Sequence, residues 1–241
     1  MSLRSRLQRI YEVLLDTFGL QGWWPILDFQ TQQAHHSITD LGYHPGNYEL
    51  PQKPEQMFQV IAGAILTQNT NWQNVVKALV NLSQERLLDP EIILKTDKRV
   101  IAEAIRPSGY YNEKTKKLKI ISQAYLKYGW YKKNHLPKRE DLLQLWGVGE
   151  ETADSILLYV FKKPFFVIDA YTRRLLTRMG LVRKPLKYRE YQKLFHNYLD
   201  LDFKLFNEYH ALVVKLAKSH CRTQPICLSC PLKKSCCSAR H

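Results

Sequence analysis

The amino-acid sequence predicts an all-α protein. Through most of the 241 residues, apolar side chains recur at the spacing of one helix face. No run of alternating β-branched residues is long enough to indicate a sheet. Turns that contain Gly or Pro separate the apolar segments, as at 107–109 and 147–149. Short helices joined by tight turns are the architecture that fits all three observations.

The predicted helices follow one another along the chain and are separated by turn signals. The first, an amphipathic segment, has no uninterrupted apolar stretch and is therefore not a secretory signal. Later helices are delimited by residues that interrupt a helix, among them Gly129, Pro137 and Gly180. In chain order the predicted helices are Leu3–Phe18, Glu55–Leu66, Trp72–Leu82, Asp89–Thr96, Lys98–Arg106, Asn112–Tyr128, Arg139–Trp146, Glu150–Phe161, Ala170–Met179, Tyr188–Leu199 and Phe203–Ser219.

Residues 30–54 form the main irregular segment of the sequence. They contain several Pro or Gly turns and are rich in Gln and His. His35, His36 and His44 lie here, and a solvated loop is a better interpretation of them than a metal site. We expect a loop or an inserted segment.

Composition excludes several classes of protein. Hydrophobic residues make up 45% of the chain, which is too many for a disordered protein. No apolar run approaches the roughly 18 residues that a membrane-spanning helix needs. The sequence therefore predicts an intracellular globular protein, cytoplasmic or associated with the nucleoid, without a membrane partner.

The charge distribution is the first indication of function. Lys and Arg total 36 against 22 Asp and Glu, a formal net charge of +14. Glu113 is the only acid between Asn112 and Arg139, where nine basic residues lie, and a second basic stretch covers 173–189. Tyr and Trp are interleaved with both stretches, which suits contact with a nucleic-acid backbone beside base stacking. A merely basic surface is the alternative, and the clustering favours nucleic acid over it.

All five cysteines lie in the last 21 residues. Cys221, Cys227, Cys230 and Cys236 have the spacing C-x5-C-x2-C-x5-C, and Cys237 follows directly. Clustered cysteines in a chain with no export signal indicate a metal site rather than disulfides. The spacing suits a [4Fe–4S] cluster or a tetrahedral zinc site, and it does not decide between them.

A glycine turn and a single aspartate are the other candidate functional features. In the segment 141–156, Gly147-Val148-Gly149 separates two predicted helices. Such a turn can expose backbone N–H groups to a phosphate at a helix N-terminus, or it can simply reverse the chain. Asp169 follows four apolar residues, so it is either a partly desolvated functional carboxylate, the N-cap of the next helix, or both.

These motifs, taken in order, resemble the helix-hairpin-helix DNA glycosylases of the endonuclease III superfamily. GVG-x-x-T-A, Asp169 after apolar residues and the four-cysteine loop occur at the family's separations, and the resemblance covers about residues 55–237. It implies two helical lobes flanking a DNA-binding cleft: one lobe at 55–165 that ends in the hairpin at about 139–161, and the other at 1–29 plus 166–241, with 30–54 inserted. It also implies a [4Fe–4S] cluster rather than zinc, in a loop that has five residues between its first two cysteines where the family usually has six.

The resemblance also implies a role for particular residues. Asp169 would stabilise the oxocarbenium-like sugar or activate water against it, as carboxylates do in glycoside hydrolysis. The substrate would be double-stranded DNA with a damaged base that leaves the helix stack, and the protein would act as a monomer. The residues implied in DNA binding are Gln68 and Asn69, which would fill the gap in the stack, and Gly147, Val148, Gly149 and Thr152 of the hairpin.

One departure from the family bears on the reaction. Bifunctional members carry a lysine two residues after the second glycine, and Glu151 stands at that position here. A carboxylate cannot form a Schiff base with the sugar. The sequence therefore predicts a monofunctional glycosylase that leaves an abasic site.

Aromatic residues narrow the expected substrate. Trp23, Trp24, Pro25 and Trp72 resemble the base-pocket residues of the subgroup related to bacterial 3-methyladenine glycosylases. A 3-alkylated adenine is a cation, and electron-rich rings attract cations by about 0.5–2 kcal/mol. The alternative is that these tryptophans are core residues, as buried tryptophans usually are.

Three other functions are compatible with parts of the sequence. The first is an endonuclease III-like glycosylase and lyase for oxidised or mismatched pyrimidines, with Lys215 or Lys218 replacing the missing lysine. The second is a DNA-binding protein without catalysis, which would not need Asp169. The third is an iron–sulfur electron carrier, which would not explain the hairpin.

Overall fold

The computed structural model describes residues 1–27, 42–132 and 134–240. Within these ranges the chain forms helices and turns and no strand, so the all-α prediction is confirmed. His35, His36 and most of the predicted irregular segment lie outside the described residues. None of the described helices is long and apolar enough to cross a membrane.

Eleven α-helices form in the described ranges, and each matches one of the predicted segments to within a few residues at its ends. Several begin at a residue whose side chain accepts a hydrogen bond from the helix's own first turn, as Asn71, Asp89, Asp97 and Asp202 do. The helices are α1 (Leu3–Phe18), α2 (Pro54–Leu66), α3 (Trp72–Gln84), α4 (Pro90–Lys95), α5 (Lys98–Ala104), α6 (Tyr111–Lys127), α7 (Arg139–Leu143), α8 (Glu150–Tyr159), α9 (Ala170–Arg178), α10 (Tyr188–His196) and α11 (Phe203–Ser219).

Two helices, α7 and α10, each end three residues earlier than predicted, and the early end of α7 shapes the glycine turn. The segment predicted to run from Arg139 to Trp146 is helical only to Leu143. The amide of Leu145 bonds the carbonyl of Leu142, and the amide of Val148 bonds that of Leu145. These three-residue closures are tighter than an α-helical turn, and they lead the chain into the glycine turn.

The described chain divides into two compact units. Unit 1 combines Met1–Trp23 with the chain from Lys162 onward and contains α1, α9, α10 and α11. Unit 2 is Trp24–Phe161 and contains α2 to α8. The sequence analysis assigned 1–29 with 166–241 to one lobe and 55–165 to the other, with 30–54 inserted, and those bounds stay a prediction.

Unit 1 is built around α11, against which α1 and α9 both pack. The ring of Tyr209 on α11 is buried, and its hydroxyl donates to the carbonyl of Leu7 on α1 at 2.9 Å. Phe166 stacks on Phe195 with ring centres 3.5 Å apart. These aromatic contacts fix the segment that directly precedes Asp169.

Unit 2 is built around α2, whose residues 58–66 are all buried. Helices α3, α6 and α8 pack against it. A helix apolar on all sides belongs at the centre of a unit, so the elements that follow α2 are arranged around it. The turn after α2 and the hairpin between α7 and α8 both belong to this unit.

Candidate functional site

The glycine turn lies between α7 and α8 in unit 2. Gly147 has a φ of +83°, which L-residues rarely adopt, and a Cβ there would lie 2.6 Å from Cε of Lys117. Gly149 is the N-cap of α8, and a Cβ at Gly149 would meet no atom within 4 Å. Gly149 is therefore exposed at the N-terminus of α8, while Val148 is buried beneath the turn.

A buried ion pair holds the two hairpin helices together. Nε and Nη2 of Arg139 on α7 donate to the two carboxylate oxygens of Asp154 on α8 at 2.6 and 3.0 Å. Nη2 also lies 3.4 Å from Oε1 of Glu150. Burial lowers the pKa of Arg139, but its bonds to Asp154 and Glu150 outweigh burial, so the pKa lies above its ordinary value. Pairing with Arg139 also offsets part of the negative charge that Glu150 brings to the first turn of α8.

Gln68, at the turn after α2, is bound to the hairpin. Its side-chain amide donates to the carbonyl of Gly147 at 3.1 Å and to Oγ1 of Thr152 at 3.0 Å. Its amide oxygen accepts from Nζ of Lys117 at 2.5 Å. Asn69, by contrast, is exposed and has a φ of +53°. Of the two residues predicted to enter the base stack, Asn69 faces solvent and Gln68 is engaged by three hydrogen bonds.

A cavity of about 350 Å³ opens beside these residues. The sequence-predicted residues Gln68, Asn69 and Gly147 line it, together with Tyr110, Glu113, Lys114, Lys117 and Trp146. Among the latter, Tyr110 is 70% exposed with a φ of +47°, and Trp146 is 46% exposed. An exposed aromatic residue in a left-handed conformation is a signal of function, but φ is visible only in the structure.

A buried lysine fixes the two turns that border this cavity. The ammonium group of Lys114, 1% exposed, donates to the carbonyls of Leu66 and Ser108, each at 2.7 Å. Burial, with a contribution from Lys117, lowers the pKa of Lys114 to about 8. Asn69 lies three residues after the first of these carbonyls and Tyr110 two residues after the second, so Lys114 anchors the backbone that leads to each.

Asp169 lies in unit 1 at the N-terminus of α9 and combines the two roles that the sequence left open. As N-cap, its Oδ1 accepts from the amide of Thr172 at 2.7 Å. Its Oδ2 lies 3.5 Å from Nε2 of His210 on α11. Burial raises the pKa of Asp169, but His210 and the bonds from Thr172 lower it more, so the pKa lies below its ordinary value. The structure thus holds an ionised carboxylate in a nearly buried position.

The four cysteines of the predicted metal loop are half-buried in unit 1, and Cys237 is exposed. Burial raises the pKa of Cys230, and the charges of Cys221, Cys236 and Cys227 raise it further. Among the described residues, no three His, Cys, Asp or Glu side chains are grouped around the position of a single metal ion. Four thiols within residues 221–236 are nevertheless the donor type that an iron–sulfur cluster takes.

Helix α9 supports the cysteine loop. The guanidinium of Arg178 donates to Sγ of Cys221 at 3.3 Å and to the carbonyls of Arg222 and Thr223 at 2.6 and 2.9 Å. Sγ of Cys236 in turn donates to the carbonyl of Arg178 at 3.4 Å. The positive charge of Arg178, at the C-terminal end of α9, therefore lies next to the cysteine loop, whose thiolates would be negatively charged.

The predicted base-pocket residues divide between the two units. Trp24 and Trp72, only 6% and 7% exposed, meet edge to face in unit 2 with ring centres 5.3 Å apart. Tyr159, which the sequence analysis did not identify, contacts Trp24 at 5.5 Å, and Pro25 is also buried. Trp23 is half-buried and belongs to unit 1. Trp24 and Trp72 are therefore packed as core residues within their unit.

Comparison with known proteins places these features in a family context. The model of the HhH-GPD superfamily of base excision DNA repair proteins matches residues 62–200. A protein of Methanocaldococcus jannaschii, provisionally named a DNA repair glycosylase, is 39% identical over 95% of both chains. Endonuclease III of Thermotoga maritima is 31% identical over 76% of this chain and 84% of its own. The crystal structure of an H. pylori 3-methyladenine DNA glycosylase bound to 1,N6-ethenoadenine is 25% identical, with a TM-score of 0.66 over 90% of this chain and 98% of that one.

The buried pair between Arg139 and Asp154 leads to a prediction about stability. Replacing Asp154 by Ala leaves the buried guanidinium without its main partner, so we expect the free energy of unfolding to fall by about 3–5 kcal/mol. Chemical denaturation measures this loss. The matched control is Glu103→Ala, which removes the acid of an exposed pair with Arg106 in the same unit and costs less than about 1 kcal/mol. Equal losses in the two variants would contradict the role assigned to the pair.

Proposed function

Because the chain belongs to the HhH-GPD superfamily of base excision DNA repair proteins, we propose that it is a monofunctional glycosylase for an alkylated base such as 3-methyladenine. As a DNA N-glycosylase it cleaves the bond between a base and its deoxyribose. The observation that carries the proposed mechanism is a nearly buried, ionised Asp169 in a chain with Glu151 at the lysine position.

Asp169 supplies the negative charge that the reaction needs. As the base departs, positive charge develops on the sugar, and a preorganised carboxylate stabilises it without having to reorient. The cap bond from Thr172 fixes the carboxylate before substrate arrives. Because the site is largely removed from water, the interaction is stronger than the same contact in bulk solvent.

In the proposed mechanism, the hairpin between α7 and α8 binds the DNA backbone. Gly149 is exposed, so a phosphate can reach the positive end of the helix dipole at the N-terminus of α8. The exposed Asn69 is the residue of its turn that can enter the stack without first losing hydrogen bonds. Gln68 can enter only by releasing the hairpin, at a cost of its bonds to Gly147, Thr152 and Lys117. We propose that Gln68 joins the turn to the hairpin and that both approach the DNA together.

Glu151 decides how the sugar intermediate is resolved. It offers no amine, so no Schiff base forms at this position, and water completes the reaction. The product is then an abasic site with an intact strand. Glu151 also lies in the first turn of α8, where the helix dipole favours an acid.

The choice of an alkylated base rests on two supports. The Trp23-Trp24-Pro25 segment and Trp72 resemble the pocket of the 3-methyladenine subgroup, and the H. pylori enzyme with that activity is 25% identical to this chain. With Trp24 and Trp72 buried against each other, we propose that the half-buried Trp23 is the ring that meets the base.

Cys221, Cys227, Cys230 and Cys236 would hold the [4Fe–4S] cluster. Such a cluster supplies a cross-link across the C-terminal loop and a centre for one-electron transfer. Arg178 donates to Cys221 and accepts from Cys236 through its carbonyl, so it positions two of the four thiols. We propose that the cluster orders this loop, and that the protein binds duplex DNA as a monomer.

A second candidate is an endonuclease III-like glycosylase with lyase activity on oxidised pyrimidines. The T. maritima relative favours it by name. Lys218 favours it by its charge state: burial and Lys215 lower the pKa of Lys218, while the charge of Asp169 raises it, and an amine with a lowered pKa can act as a nucleophile. Lys215 has no comparable link to Asp169 among the described interactions.

The first test of the proposal is base release. Duplex DNA treated with a methylating agent should yield free 3-methyladenine with wild-type protein, and strand breaks should appear only after alkali. Asp169→Asn should reduce release by about a hundredfold or more, because the carboxylate charge is lost, while DNA binding is retained. Release from oxidised-pyrimidine duplexes alone would contradict the substrate, and full activity of Asp169→Asn would contradict the mechanism.

The second test is trapping with borohydride, which reduces a Schiff base to a stable adduct. Wild-type protein should form no covalent adduct with methylated DNA, because Glu151 cannot form the Schiff base. Glu151→Lys, which restores the family's lysine, is the positive control and should form one. An adduct with the wild type that Lys218→Ala abolishes would support the second candidate instead.

The third test concerns the metal. Purified protein should contain iron and inorganic sulfide in equal amounts, and Cys230→Ala should lose both, because each of the four thiolates is needed to hold the cluster. Cys237→Ser is the matched control and should retain them, since Cys237 is exposed and lies outside the set of four. Elemental analysis that finds zinc instead would contradict the proposed cluster.

A further inference from the structure

We propose that His210 is a positioning residue for the reaction, which keeps the carboxylate of Asp169 ionised and correctly oriented. The inference rests on the catalytic role proposed for Asp169. It assigns a function to a histidine that lies 41 residues further along the chain and that no sequence motif indicated.

Both carboxylate oxygens of Asp169 have a defined polar neighbour. Oδ1 accepts from the amide of Thr172, which belongs to the same helix terminus. Oδ2 lies 3.5 Å from Nε2 of His210, and the two side chains are only 13% and 9% exposed. The cap bond alone leaves the carboxylate free to rotate about its contact with Thr172. His210, on a different helix, places a ring nitrogen 3.5 Å from the second oxygen, so a charge on the ring favours the orientation in which that oxygen faces it.

The fold holds His210 at this position. It lies near the middle of α11 in a run of buried residues, 206–213. Its ring meets the ring of Phe166 edge to face at 6.4 Å, and Phe166 stacks on Phe195. Burying an imidazole among aromatic rings costs free energy unless its nitrogens have polar partners. The carboxylate of Asp169 lies 3.5 Å from Nε2, within ion-pair distance but outside hydrogen-bond geometry, so its charge is the interaction that links the packing of unit 1 to Asp169.

The pKa of Asp169 depends on the balance between burial, which raises it, and polar neighbours, which lower it, and the effect of His210 is the largest among these neighbours. Burial favours the neutral acid, which would not stabilise a cationic sugar. His210 is the largest influence in the opposite direction, followed by Thr172 on α9. Lys218 on α11 is the other charged group that interacts with Asp169. Without His210, burial faces weaker opposition and the pKa of Asp169 rises.

The direction of the effect on rate follows from this. The reaction requires ionised Asp169, so the rate falls on the acid side as the carboxylate becomes protonated. A lowered pKa keeps Asp169 ionised down to low pH. If the pKa rises in a His210 variant, the acid limb of the pH–rate profile moves to higher pH. The loss of activity is then large in acid and small in alkali.

The experiment compares His210→Leu, His210→Gln and the control Val213→Ala. Val213 is buried on the same helix, so its truncation tests loss of packing without loss of a polar partner. Release of 3-methyladenine from methylated duplex DNA is measured in single turnover from about pH 5 to about pH 9. His210→Leu should shift the acid limb upward, His210→Gln should shift it less because its amide can still donate, and Val213→Ala should leave its position unchanged. A uniform loss across all pH values in His210→Leu would overturn the inference, because it is the result expected from packing alone.

A second measurement separates this inference from the proposed function. The side-chain carboxyl carbon of Asp169, labelled with ¹³C and assigned by its absence in Asp169→Asn, reports protonation without any substrate. Its titration should move to higher pH in His210→Leu, and an unchanged titration would overturn the inference even where Asp169→Asn is inactive. If Asp169→Asn instead retains full activity, the proposed function fails, whatever the titration shows.

Discussion

A carboxylate can be buried in unit 1 only because polar groups surround it. Asp169 begins α9 and closes the helix's first turn through Thr172, and its other oxygen faces His210 on α11. The apolar segment before Asp169 is held by the stack of Phe166 on Phe195. Were either support missing, burial would neutralise the acid or expel it toward solvent. The positions of α9, of the aromatic core and of the proposed catalytic charge therefore depend on one another.

The C-terminal end of α9 also carries a charged residue whose polar partners hold a neighbouring segment in place. Arg178 lies in its last turn, where the helix dipole favours a cation, and its guanidinium binds the carbonyls of Arg222 and Thr223 as well as a cysteine sulfur. One nine-residue helix thus joins the proposed catalytic carboxylate at its N-terminus to the cysteine loop at its C-terminus. The helix dipole stabilises a negative charge at the N-terminus and a positive charge at the C-terminus, so it favours both Asp169 and Arg178.

In unit 2, the buried side chains of Lys114 and Arg139 stabilise the turns between helices. Lys114 binds two backbone carbonyls that no helix satisfies, and Arg139 binds the carboxylate of Asp154 across the hairpin. Unpaired carbonyls and unpaired charges are both costly in a low-dielectric interior, so these contacts determine where the turns lie. The exposed Asn69 and Tyr110 are placed by this internal network. Some of the basic residues behind the net charge of +14 are therefore buried, where Lys114 and Arg139 stabilise the interior of unit 2.

The sequence by itself determined the features that depend on neighbouring residues. Helix periodicity, the cap at Asp169 and the glycine turn at 147–149 each arise within a few residues, and the structure has all three. The early end of α7, the engagement of Gln68 by the hairpin and the burial of Trp24 against Trp72 were decided by the tertiary structure. So were the partners of Lys114 and the approach of His210 to Asp169. These contacts join residues that lie up to 84 positions apart. Their free energies depend on which surfaces the packed helices bring together, and local sequence patterns carry no information about that.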